Sequence, residues 1–155
     1  MLEWTSTSIK NVTRSTFVSD LQAAIAATDS AIMLALTLHE IVKGPVTPKE
    51  GLTLRERGGM NIGLRVCVDA MSVFAAIAVD HIKPPAEKSL LCHLLWLKEL
   101  VQLGIIREFR WIDTRDMTAD GHTKGSVSRE ALMQLASGHI VRTIGFLIKR
   151  YADSL

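Results

Sequence analysis

The chain has 155 residues, is 48% hydrophobic and 22% charged, and carries a formal net charge of +2. That composition excludes disordered or low-complexity material and suits a single domain with one apolar core. So small a charge excludes a strongly polybasic surface, and any nucleic-acid contact must come from local clustering of cations. Cys67 and Cys92 lack zinc-type spacing. Both fall in apolar patterns and read as buried free thiols, which suits a reducing compartment. The opening MLEWTSTSIK lacks the apolar run of a secretory leader, so the expected location is intracellular, in cytoplasm or nucleus.

Taken in chain order, LEWTSTS and IKNVTRST favour extended structure and predict one strand or a bent pair over 2–14. Ser15 or Thr16 is placed to cap a helix. Apolar residues at Phe17, Leu21, Ala24, Ile25, Ile32, Ala35, Leu36 and Val42 predict a long amphipathic helix, stopped by Gly44-Pro45. Asp29, Ser30, His39 and Glu40 interrupt its apolar tract, which therefore reads as a core helix rather than a membrane span. Residues 44–63 are rich in Gly and Pro and read as a loop, with Lys49-Glu50 and Arg55-Glu56-Arg57 as solvated charge.

LRVCVDA reads as a buried strand, and MSVFAAIAVDHI as a short helix. KPPAEK breaks that helix and opens another, from Ala86 to Leu103, with a broad apolar face through Leu90, Leu91, Leu94, Leu95, Leu97, Val101 and Leu103. On it, His93 and Trp96 read as core or rim residues. IIREFRWID alternates as a strand, a last helix is expected near Arg129 to Ala136, and 139–155 read as a helical tail. Helices alternating with strands imply an α/β fold with a mixed sheet.

Three carboxylates occupy positions where function gathers. Asp69 closes the strand LRVCVD, and in open α/β sheets ligands collect at the carboxyl ends of strands. Asp20 lies in the first turns of the long helix, and Asp120 precedes the last one. Singly, each has a structural reading: Asp69 as a cap for the next helix, Asp20 as a complement to the helix dipole, Asp120 as a turn former. Together they offer the oxygen donors that Mg²⁺ takes, and two such ions can clamp the attacking and leaving oxygens in phosphodiester hydrolysis. The chain has no Gly-x-Ser-x-Gly elbow, which argues against a serine hydrolase.

Four pieces, LEWTSTSIKNVTRSTFVSDLQAA, LRVCVDAMSVFAA, PPAEKSLLCHLLWLKELV and RWIDTRDMTADGHTKG, stand in an order that resembles the ribonuclease H domain of copia-type (Ty1/copia) retrotransposon polyproteins. The resemblance runs from Leu2 to Gly138. It implies a ribonuclease H-like mixed sheet flanked by helices over 1–138, followed by the tail. It also implies a two-ion Mg²⁺ site. Residue by residue, Asp20 matches the family's helix carboxylate, which is usually Glu, Asp69 the strand-end Asp, and Asp120 the Asp of the final Ala-Asp step. Asp113 and Asp116 then look like loop charges. His122 matches a place near the scissile phosphate or a hydrogen-bonded loop, and Lys124 a phosphate contact or an exposed cation.

The family begins with two further strands, the first carrying an aspartate that bridges both metals, and this chain starts at the family's third. The expectation is therefore an N-terminally truncated domain lacking the first strands. Its ancestral activity is hydrolysis of RNA in RNA–DNA hybrids, here weak or absent. The alternative is a non-catalytic remnant. Such a remnant binds nucleic acid through Lys10, Arg14, Lys83, Lys88 and Lys124, or a protein through the helix from Ala86 to Leu103. Expected partners are an RNA–DNA hybrid or other nucleic acid and an upstream reverse transcriptase portion of a polyprotein; no membrane partner is expected.

Overall fold

The structure is a computed structural model that describes residues 15–82, 84, 85, 88–113, 133, 137 and 147–149. Helix α1 spans Thr16–Lys43. Ser15 caps it, its hydroxyl accepting from the Val18 N–H at 3.4 Å. It stops at Gly44, whose φ of 98° suits only glycine and whose N–H donates to the Glu40 carbonyl at 2.8 Å. Val18, Leu21, Ala24, Thr28, Ile32 and Ala35 form its buried stripe, at helical spacing. Thr28 is fully buried, and its hydroxyl is satisfied by donating to the Ala24 carbonyl at 2.7 Å. By length and composition α1 is apolar enough to cross a membrane; in this fold it packs against the sheet and the other helices.

The expected loop over 44–63 contains a second helix, α2, Pro48–Arg57. Its start is a capping box. Thr47 Oγ1 accepts from the Glu50 N–H at 3.3 Å, while the Glu50 carboxylate accepts from the Thr47 N–H at 2.8 Å. Pro48 sits in the first turn, where its missing N–H costs nothing, and Gly58 ends the helix at φ 78°. Only Gly51 is buried on α2, under Leu36 and Val46. An apolar-periodicity reading therefore has nothing to detect there.

Strands β1 (Leu64–Val68) and β2 (Ile106–Trp111) pair in parallel, with an irregularity between Leu64 and Arg65. Parallel neighbours need a crossover, and α3 (Met71–Ala78) and α4 (Ser89–Gln102) supply it. Leu64, Val66 and Val68 alternate into one core with Ile106 and Phe109, against Val73, Phe74 and Ile77 of α3 and Leu90, Leu94 and Leu97 of α4. Phe74 and Phe109 stack with ring centroids 6.3 Å apart. The helix expected from Ala86 begins at Ser89.

A third strand, β3 (Leu147–Lys149), pairs antiparallel with β2, giving the order β1-β2-β3. The helical tail expected over 139–155 is thus corrected at these three residues. The free edge of β2 offers N–H and C=O groups that an extended segment satisfies. Some of the tail therefore shares a sheet with β1. The sheet is mixed and the fold is α/β. The strand expected over 2–14 and the helix expected near Arg129 to Ala136 lie outside the described residues, apart from Met133, which is helical.

The other face of the sheet is polar. Glu108 accepts from Arg65 Nε at 2.6 Å and from Arg110 Nη2 at 3.2 Å. Cys67 lies between these arginines in register with Arg110 and is half-buried. Burial pushes its thiol up despite the nearby Arg110 and Arg65 charges, so it is a poor nucleophile. Cys92 is exposed on α4, contrary to the buried thiol expected, because it falls opposite the stripe of Leu90, Leu94 and Leu97. His93 is also exposed, whereas Trp96 packs against the core.

Candidate metal-binding site

Asp69 is the first residue beyond β1 and stands in the bend that leads into α3. The helix is capped at Ala70, with no side-chain cap hydrogen bond. Its Val73 and Phe74 N–H groups donate instead to the Ala70 carbonyl, each at 3.1 Å. The Asp69 carboxylate is therefore not the N-cap of α3. Asp20 lies on the fifth residue of α1, past the first turn, which holds no acidic residue. Its charge sits beyond the reach where a helix N-terminus rewards an anion most. The structural readings of both residues thus fail locally.

The two residues are instead coupled by charge. Burial raises the Asp20 carboxyl above its ordinary value, and the neighbouring Asp69 carboxylate raises it further. Among the described residues neither forms an ion pair with Lys or Arg. A pair of close carboxylates without a cation is an unfavourable arrangement that a hard divalent ion relieves, and both donors are oxygen. The donor chemistry thus fits Mg²⁺. No group of three His, Cys, Asp or Glu side chains converges among the described residues.

The end of β2 lies beside this pair. Ile112 N–H donates to the Val68 carbonyl at 2.9 Å, carrying the ladder one step past both strands. The Trp111 indole Nε1–H donates to the Asp69 carbonyl, also at 2.9 Å. That contact joins residues 42 apart in sequence, and no local pattern announces it. Asp113 follows, half-buried.

Asp120, His122 and Lys124 lie outside the described residues, as does Asp116. Of the expected basic face, Lys10, Arg14, Lys83 and Lys124 also lie outside them; Lys88 is described, exposed at the N-terminus of α4. Of the three expected ligands, the described residues include Asp20 and Asp69, 49 positions apart in the chain and coupled by charge. Comparison with family models, curated proteins and solved structures finds no match to this chain.

Proposed function

We propose that this chain is a retroelement-derived ribonuclease H-like domain whose Asp20–Asp69 pair holds Mg²⁺ for hydrolysis of RNA in an RNA–DNA hybrid. The observation that supports the reading is the charge coupling of Asp20 to Asp69, two carboxylates with neither capping nor ion-pair duties among the described residues. The resemblance of four sequence pieces to the copia-type domain supplies the reaction class. Asp69 provides a donor fixed at a strand end, and Asp20 a donor on a facing helix. Asp120 is the third ligand by resemblance. A bound divalent ion contributes charge neutralisation at the scissile phosphate and a more acidic water. Lys88, His122 and Lys124 are the residues assigned to the nucleic-acid backbone, where cations position the duplex without reading sequence.

Turnover is expected to be slow. Asp in place of the resembled family's usual Glu at position 20 shortens the reach by a methylene.

The test is cleavage of a labelled RNA–DNA duplex by the purified chain in Mg²⁺ or Mn²⁺, beside Asp69→Asn. Metal-dependent cleavage that falls to background in the variant supports the assignment. Salt-dependent binding of hybrid without cleavage supports a non-catalytic nucleic-acid-binding remnant instead. Neither cleavage nor binding rejects both readings and leaves the protein-interaction alternative.

A further inference from the structure

We propose that Trp111 is the positioning residue for Asp69: its indole N–H anchors the backbone at the end of β1 and so sets the direction of the Asp69 carboxylate. This rests on the reading of the Asp20–Asp69 pair as an ion-holding site.

Asp69 follows the last residue of β1, where regular strand pairing has ended. Its carbonyl needs another donor or water. Trp111 is the last residue of β2 and stands in register with Val68. From there its indole crosses to the Asp69 carbonyl at 2.9 Å. The carbonyls on either side are held as well. Val68 accepts from Ile112 N–H, and Ala70 accepts from the first turn of α3. Three successive carbonyls are therefore fixed, and only the middle one depends on a side chain.

Fixing that carbonyl fixes the direction of the Asp69 Cα–Cβ bond, and the allowed rotamers follow from the backbone. Because α3 takes no side-chain cap, the helix does not draw the carboxylate toward itself. Trp111 is itself half-buried and packed against the core, so its indole has a defined place from which to donate.

The experiment replaces Trp111 by benzothienylalanine, a side chain of the same shape with sulfur in place of N–H, incorporated at that single position of the full chain. Trp111→Phe is the genetic counterpart. The first readout needs no metal: three-bond couplings from the backbone N and carbonyl carbon to the Asp69 Cγ report its χ1. Wild type is expected to show one rotamer, and the isostere an average over several. The second readout is affinity for Mn²⁺ alone. It is expected to fall about 10-fold in the isostere, as for loss of a group that orients a ligand, with the melting temperature nearly unchanged.

Unchanged couplings in the isostere overturn the inference, whatever the ion does. Altered couplings in a protein whose wild type binds no Mn²⁺ uphold the positioning role and reject the metal reading. If Trp111→Phe fails to fold, the isostere still decides, since it nearly preserves the packing volume.

Discussion

The Lys98 ammonium of α4 sits at the end of α3, donating to the backbone carbonyls of Val79 and Asp80, the latter at 2.6 Å. A helix C-terminus leaves carbonyls without intrahelical partners, and its dipole favours a cation there. The chain beyond α3 is thereby tied to α4, the helix that must pack beside it before the sheet can close. Lys98→Met keeps the aliphatic stem and removes both bonds. The expected cost is about 1 kcal/mol, since both carbonyls remain within reach of water. Denaturant unfolding checks this, and an unchanged midpoint would show that water replaces the ammonium without loss.

Asp20 gives a pH dependence with a definite sign. Its folded value lies above the ordinary 3.8, through burial first and the Asp69 charge second. A carboxyl raised in this way contributes stability fully below its unfolded value, and that contribution is lost as pH rises through the folded value. Asp20→Asn is therefore expected to melt at least as high as wild type at neutral pH without metal, and to lose that advantage below 3.8. Mg²⁺ is expected to raise the wild-type melting temperature and leave the variant little changed. A metal-free variant that melts lower than wild type at neutral pH would contradict the account.

Glu50 gives the opposite sign. Its carboxyl is lowered below 4.5, first by the Thr47 backbone N–H and then by the Thr47 hydroxyl. Its contribution is present above the unfolded value and lost as pH falls through the folded one. Helix α2 should therefore fray in acid, seen as faster amide exchange over Pro48–Arg57. Thr47→Ala removes the capping hydroxyl and should cost about 1 kcal/mol. The variant should also show a smaller acid-induced change in α2, and an undiminished change would remove Glu50 as its source.

Phe109 is fully buried on β2 and stacks on Phe74 of α3. Phe109→Ala leaves a cavity at the junction of sheet and helix and should cost about 4 kcal/mol, a large share of a small domain's stability. Phe109→Leu should cost much less. Thermal or denaturant melts of the two distinguish a tightly packed site from one that collapses around the loss.

Much of this architecture is legible in the sequence, for physical reasons that differ by element. Ser15 and Gly44 bound α1 because a cap hydroxyl and a left-handed glycine are local requirements. LRVCV and IREFRW read as strands because alternation and β-branching meet a half-buried pleat. Helix α2 escapes apolar periodicity because it buries only a glycine, yet Thr47-Pro48-Lys49-Glu50 spells its capping box. Asp69 is legible as a strand-end residue. Its coupling to Asp20 enters only through the family resemblance, since no local pattern says how α1 lies across the sheet. The indole of Trp111 is further out of reach, because its acceptor is a main-chain oxygen that any residue would provide.

The parallel pairing of β1 with β2 also sets an order of events in folding. Arg65 and Glu108 are 43 residues apart, and no hairpin brings their strands together. The entropy of closing so long a span must be met before the first ladder bond forms, whereas the turns of α3 and α4 close locally. The helices are therefore the early structure, and the carboxylate pair at the strand end assembles among the last. A nascent chain that has not yet made β2 already carries both Asp20 and Asp69, but not the indole that anchors one of them.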